Sequence, residues 1–385
     1  MQIGFDAKRI FQNTTGLGNY ARNLIDGLSR FAPEHHYHLF APRTTGLFAA
    51  TQYPNISVHL PEGFIHRRFK AYWRSKGMVN DLADQSLDLY HGLSFELPFG
   101  IERLKLPTIV SVHDLIFERY PEQYRAADVL ISRKKTKHAC AVANAVFAMS
   151  VQTKQDLIDL YQIPASKIFV TYQSCHDHFL SKKNSSELDR LKSKYNLPEL
   201  YFLFVGSIIE RKGLLKICEA LGMMQQKIPL LVIGKGDGEY EQKVKQFITA
   251  NRMTSQLVFL NETPAGKTPD FISGKDFPGI YQSATALVYP SVFEGFGIPV
   301  LEALSSGTAV ITSRNSSMAE IAGEAALYID AANSVDIAGA MKQVLQDERL
   351  RKTLGEKAVI QAAQFSKERL SSELITLYST IIKNA

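Results

Sequence analysis

A chain of 385 residues with 45% hydrophobic and 21% charged residues has the composition of a soluble globular protein, and its length suits two domains of about 150–200 residues rather than one core. Its net charge of +6 and pI near 9.0 favour anionic partners, leaving nucleotide diphosphates, lipid phosphates and anionic bilayers open, with no nucleic acid expected. With no apolar run of the roughly 18 residues a membrane span needs, no signal-peptide pattern, and three cysteines (Cys140, Cys175, Cys218) that fit neither metal-ligand spacing nor a disulfide framework, the expected compartment is a reducing cytoplasm.

Gln2 to Asp6 (QIGFD) reads as a short first strand. Thr15 to Ala21 (TGLGNYA) then places Gly16 and Gly18 in a loop before a helix with Leu24, Ile25 and Leu28 on one face. The G-x-G-x-x-A string invites a dinucleotide-fingerprint reading. It fails because the first Gly follows the strand by about nine residues and no acidic residue closes a second strand at the expected distance. A glycine-rich stretch before a helix still offers amides to a phosphate, with a plain loop as the alternative.

Further strands are expected at Tyr37–Phe40, Ile56–Leu60, Leu87–His91, Thr108–Val112, Ala145–Met149 and Ile168–Thr171. Alternating with helical patterns, they give the signature of a parallel sheet covered on both faces. Phe64 to Lys76 (FIHRRFKAYWRSK) mixes His66, Arg67, Arg68, Lys70, Arg74 and Lys76 with four aromatics. As a helix it fits either an anionic membrane or polyprenyl-phosphate contact, or a solvated face with a core-facing aromatic stripe. Arg133 to His138 (RKKTKH) reads as a solvated face or a supplement to that contact. His113 falls just past the end of an apolar strand, where open α/β sheets place their ligands, and His91 is a weaker version of the same signal.

Ser150 to Tyr161 reads as a capped helix, and Ser181 to Asn196 (SKKNSSELDRLKSKYN), polar and nearly free of large apolar residues, as a linker. The expected division is 1–180, a linker at 181–196, a second domain at 197–364 and a terminal amphipathic helix at 365–385. The second domain opens on an apolar strand, Leu200 to Ser207. Glu210-Arg211-Lys212-Gly213 then sets cations beside a helix start, where a diphosphate would sit. Leu230 to Gly238 is a strand with a Gly-rich turn, Leu257 to Leu260 a short strand, and Asn261 to Lys275 a long loop.

Ala286 to Pro290 reads as a buried strand stopped by proline, followed by Val292 to Leu304 (VFEGFGIPVLEAL). Gly295 and Gly297 lie in the turn with Phe296 between them, and Ile298-Pro299 opens a helix that Gly307 is placed to end. Glu294 thus stands in a turn above the sheet and Glu302 in the first helical turns, beside amides that form an anion site. Ala309 to Thr312 gives a further strand.

Glu294 to Glu302 resembles the E-x7-E motif of the retaining glycosyltransferases of the GT-B fold, in particular family 4, which uses nucleotide-sugar donors. The likeness extends to the Gly-rich stretch at Gly16 and Gly18, His113-Asp114-Leu115, Thr153-Lys154-x-Asp156-Leu157 and Lys212-Gly213. Departures are Ser207 where an Arg is frequent, Gln173-Ser174-Cys175 where Asn-Gly-Val is usual, and Lys367 where Trp often follows Phe-Ser. The resemblance implies two Rossmann-like domains facing across a cleft and a C-terminal helix crossing back to the first. It implies donor-sugar contact by Glu294, ribose contact by Glu302, diphosphate contact by Arg211 and Lys212, and His113 at the reacting sugar. Ser207, Gly295, Phe296, Gly297 and Ile298 would complete the donor site. No cofactor or metal is expected, since the chain contains no Asp-x-Asp and charge on the leaving diphosphate would fall to Arg211, Lys212 and helix amides. The expected reaction moves a hexose from a GDP- or UDP-linked donor to a glycan or polyprenyl-linked acceptor of surface polysaccharide, with retention and with same-face attack. The alternatives are a nucleotide-sugar 2-epimerase of the same fold and a non-catalytic nucleotide-sugar-binding protein.

Overall fold

The computed structural model describes residues 1–236 and 238–385, so the Gly-rich turn expected to reach Gly238 includes one position, Asp237, outside the described residues. The chain divides into two units, Met1–Ser174 with Phe365–Ala385, and Cys175–Gln364. Unit 1 holds seven parallel strands: β1 Gln2–Asp6, β2 His36–Phe40, β3 Ile56–His59, β4 Leu89–Gly92, β5 Thr108–Val112, β6 Ala145–Ala148 and β7 Ile168–Val170, in the order β3-β2-β1-β4-β5-β6-β7. Unit 2 holds β8 Phe202–Val205, β9 Leu230–Ile233, β10 Leu257–Phe259, β11 Ala286–Tyr289, β12 Val310–Ser313 and β13 Ala326–Ile329, in the order β10-β9-β8-β11-β12-β13. Every described strand pair is parallel, and short apolar runs such as FLFV, LLVI and ALVY are buried throughout, as strands covered on both faces require. Both sheets reverse strand order once, between β1 and β4 and between β8 and β11, the doubly wound Rossmann pattern.

Several expectations change. Ser185–Tyr195 is a helix of unit 2 rather than a linker. Asn184 and Glu187 form a capping box, Leu191 and Tyr195 are buried, and Lys194 and Tyr195 both hydrogen bond to Asp276, at 2.6 and 2.7 Å. Asn261 to Lys275 is largely short helical turns, with Phe271 packed between Tyr195 and Phe277. Phe64 to Lys76 is not one helix either. It breaks at Phe69 (φ −112°, ψ 64°) and continues through a π-turn, Trp73–Gly77. That break turns Trp73 into the core, with its Nε1 donating to Asp81 at 2.5 Å. Arg74 turns inward as well, its Nε 2.9 Å from Asp6 Oδ2 and its Nη1 2.7 Å from Glu96.

The helix Lys367–Asn384 belongs to unit 1 and packs on the helix Gly16–Phe31. Gly27 makes the approach possible, since a Cβ there would lie 2.7 Å from both Lys367 Cγ and Ser371 Oγ. Lys367 is buried with its Nζ 2.6 Å from Asp26 Oδ2. The Tyr378 hydroxyl lies 2.8 Å from His91 Nδ1.

Candidate active site

A dense polar cluster lies at the strand reversal of unit 2. β8 is followed by Gly206, whose φ of 148° would strain any side chain, and an added Cβ would stand 3.0 Å from Lys212 Nζ. A 3-10 turn, Glu210–Lys212, leads through Gly213 (φ 72°) into the helix Leu214–Met223. On the neighbouring strand, β11 delivers Tyr289 and then Ser291 to the same place. Arg211 Nη1 stands 2.8 Å from Glu294 Oε1 and donates to the Phe293 carbonyl, and Lys212 Nζ lies 3.5 Å from Oε1. Tyr289 accepts from Lys212 at 2.7 Å and donates to Glu294 Oε1 at 2.9 Å, where Ser291 Oγ also donates at 2.9 Å. Among the described residues, every side-chain contact to this carboxylate falls on Oε1 and none on Oε2.

The two glutamates of the motif are driven in opposite directions. Burial raises the Glu294 pKa, but the charges of Lys212 and Arg211 and the hydroxyls of Ser291 and Tyr289 more than reverse this, leaving it below the ordinary value. Glu302, in the helix Ile298–Ser305, is partly buried and accepts one hydrogen bond, from Tyr281 at 2.8 Å. Burial pushes its pKa up to about 7, against the weaker pull of Tyr281 and Lys212. Gly297 starts this helix with φ 110°, and a Cβ there would collide with Met318 at 2.4 Å, so the turn tolerates only glycine. Pro299 takes the second helical position, and Gly307 (φ 70°) follows the helix end.

Arg211 is buried and committed to Glu294 and the Phe293 carbonyl, so it stands behind the carboxylate, while Lys212 remains partly exposed. Ser207 is exposed at the end of β8, and Gly295 and Phe296 are buried ahead of Gly297 and Ile298.

In unit 1, His113 follows β5 and is buried. Its Nε2–H donates to the Leu93 carbonyl at 2.9 Å, and its ring meets Tyr20 edge-on at 4.6 Å and Phe95 at 5.4 Å. Burial, helped by the charge of Arg9 and opposed by the Leu93 bond, brings its pKa down to about 4. It is therefore a neutral imidazole whose Nδ1 can only accept a hydrogen bond. Phe95 holds φ 61°, the kind of strained position that clusters at functional sites. His91 does not line a site: it is fully buried between the Tyr378 hydroxyl and Ser111 Oγ, each 2.8 Å away. Gly16 and Gly18 lie in the first turn of a helix rather than in a loop. Gly18 is a packing glycine, since a Cβ would meet the Asn13 carbonyl at 1.9 Å, whereas Gly16 faces open space.

Two family models match the chain, one described as "Glycosyl transferases group 1" over residues 185–360 and one as "Glycosyltransferase Family 4" over residues 14–175. The first of these covers the strand reversal of unit 2, between β8 and β11, and the second covers β2 to β7 of unit 1. The chain is a family 4 glycosyltransferase. It is 28% identical over 401 aligned positions to the O-antigen chain mannosyltransferase B of Escherichia coli, covering 99% of this chain and 100% of that one. Among solved structures, sucrose-phosphate synthase from Thermosynechococcus elongatus superposes with a TM-score of 0.77 at 19% identity over the whole of both chains. Anabaena Alr3699/HepE, in complex with UDP and glucose, superposes with a TM-score of 0.75 at 15% identity, covering 99% of this chain and 100% of that one. These likenesses show that the fold is GT-B.

Sequence reasoning missed the hydroxyls that set the glutamates in this transferase: Tyr289 and Ser291 on Glu294, and Tyr281 on Glu302. The signal for the first two was present, because Tyr289 closes an apolar strand and Ser291 stands between it and the motif. Tyr281 carries no local signal. Among the described residues, no group of three or more His, Cys, Asp or Glu is placed to hold a metal ion, and no helix is long and apolar enough to cross a membrane.

Proposed function

We propose that the chain transfers a hexose, with retention and without a metal, from a nucleotide-diphosphate sugar to a glycan or lipid-linked acceptor in surface-polysaccharide synthesis. The observation carrying this reading is Glu294, whose Oε1 is saturated by four side chains while Oε2 is left to accept from sugar hydroxyls. Lys212 would meet charge developing on the leaving diphosphate, and Arg211 would hold Glu294 ionised. His113 would accept a hydrogen bond from a sugar hydroxyl through Nδ1. The leaving phosphate would take the acceptor's proton as the new bond forms on the same face. The name of the E. coli relative supports mannose. Release of nucleoside diphosphate from a panel of GDP- and UDP-sugars, with and without mannose-terminated acceptors and in chelator, tests the reading. Acceptor-dependent release from one donor, undiminished by chelator and giving a product of the donor's anomeric configuration, is expected. Inversion, epimerised donor, or activity lost to chelator overturns it.

Peripheral attachment to the inner face of the cytoplasmic membrane belongs to the same proposal, through a smaller patch than the sequence suggested. Phe64, Ile65, Phe69 and Tyr72 are 84, 62, 59 and 51% exposed, beside the exposed Arg67, Arg68 and Lys70. Arg74 and Trp73 are excluded by burial. The run at Arg133 is a partnered face, with Arg133 on Glu118 and Lys135 on Glu96. Each cation is worth about 1 kcal/mol near an anionic leaflet, and buried aromatics add a salt-resistant part. Sedimentation with anionic vesicles is expected to fall with salt and on replacing Arg67, Arg68 and Lys70 by Ser. Equal, negligible binding to anionic and neutral vesicles counts against the patch.

A further inference from the structure

A cavity of about 720 Å³ opens in unit 1 beside its edge strand β3, where the turns after β2 and β3 meet Phe64–Tyr72 and the helix Met78–Ala83. Its size is that of sites that hold a ligand of several rings. Three cations, Arg43, Arg67 and Lys70, and three carboxylates, Glu62, Asp81 and Asp84, line it. Among the described residues none of the six takes part in an ion pair, and only Asp81 has a side-chain hydrogen bond, from Trp73. The lining is therefore electrically balanced, and His59 on its wall is held toward the neutral form by burial. Apart from Asp81, donors and acceptors stand side by side without a side-chain partner among the described residues.

That pattern selects among ligands. A diphosphate would gain from the three cations but be repelled by the three carboxylates. A neutral polyol presents hydroxyls that donate to carboxylates and accept from guanidinium and ammonium groups, so it uses both halves of the lining. Strand order sets the distance. β2 and β3 lie three and four strand spacings from β5, whose end carries His113, or roughly 14–19 Å across the sheet. A ligand reaching from one to the other spans several sugar units.

We infer that this cavity is a distal subsite for the acceptor glycan, holding sugar units several residues back from the growing end. The inference rests on the glycosyl-transfer reading above and adds that the enzyme measures acceptor length. The test uses the full chain with mannose oligosaccharides of two and six residues as acceptors. Arg43→Gln and Asp84→Asn are the variants, because both side chains are exposed and lie outside the donor site and the apolar patch. For the wild type, KM is expected to be lower for the six-residue acceptor than for the two-residue one. Each variant is expected to raise the six-residue KM roughly tenfold, the loss of one charge-assisted hydrogen bond, with kcat and the two-residue KM unchanged. Donor-free calorimetry with the six-residue oligosaccharide is expected to show the same loss. Equal effects on both acceptors, no effect on either, or tight binding of inorganic pyrophosphate abolished by Arg43→Gln overturns the assignment. Failure of every donor and acceptor to react would instead sink the transfer reading, and calorimetry would still decide the cavity.

Discussion

The strand reversals of the two sheets have the same topology and opposite contents. An open α/β sheet takes its ligand at that point. In unit 1 the crevice between β1 and β4 is filled by Arg74, clamped by Asp6 and Glu96, with Lys135 on Glu96 at 3.2 Å. In unit 2 the corresponding arginine, Arg211, also grips a carboxylate, but from one side, and leaves Oε2 of Glu294 and the Lys212 ammonium for a ligand. An arginine–carboxylate pair at a reversal can thus close a site or prepare one. The difference lies in how many carboxylate oxygens the protein itself consumes.

The largest expected effect breaks the closed side. Arg74→Ala leaves Asp6 buried without its ion-pair partner: burial raises its pKa, and it is the Arg74 charge and hydrogen bonds, with smaller contributions from the Lys8 amide and charge, that hold it below the ordinary value. Removing one partner of a buried pair costs about 3–5 kcal/mol. Trp73, the chain's single tryptophan, is buried next to it, so the midpoint of urea unfolding by tryptophan fluorescence reads unit 1 directly. An unchanged midpoint would show that the clamp adds no stability.

On the prepared side, Lys212→Ala is expected to lower turnover by ~2–4 kcal/mol of transition-state stabilisation, and Glu294→Gln to act on turnover in the same way. Steady-state kinetics with the donor that reacts best checks both. A change confined to KM would assign the two residues to ground-state binding instead.

A smaller effect separates the two glutamates by pH. The Glu302 pKa is raised from 4.5 to about 7, so the ligand-free protein binds an extra proton there, and its contribution to stability, full below about 4.5, is lost as pH rises to about 7. With Glu302 as the ribose contact that the family resemblance implies, its ionised carboxylate is the stronger acceptor for the ribose hydroxyls. Affinity for a nucleotide sugar, which does not itself titrate in this range, should fall by up to about tenfold from pH 8 to pH 6. Calorimetry across that range checks it, and Glu302→Gln should flatten the slope. Glu294, lowered rather than raised, keeps its charge throughout and loses its contribution only in acid.

Much of this was legible in the chain. Apolar runs bounded by Gly or Pro marked most strands, because strands buried on both faces carry no polar alternation to confuse them. Glu294, Glu302 and Lys212 were legible by spacing against glycines. Arg74 was not, because composition treats Phe64 to Lys76 as one helix, and only the break at Phe69 and the π-turn after it decide which cations face inward. The helix Ser185–Tyr195 was overlooked because few of its residues are apolar. Yet Leu188, Leu191 and Tyr195 fall at helical spacing, and two of them are buried. Gly18 looked like a ligand-approach glycine and proved to be one that clears the Asn13 carbonyl. A local string does not distinguish those two uses.

The return of Phe365–Ala385 to unit 1 sets an order of events on the ribosome. About 190 residues of unit 2 are translated between the two portions of unit 1, a delay of roughly 10–40 s at ordinary elongation rates. Throughout it, His91 lacks the Tyr378 hydroxyl and Asp26 lacks Lys367. The first-made half of the protein is therefore the last to be finished. Until then it carries an open apolar seam over Phe5 and Phe147, whose rings Tyr378 later covers.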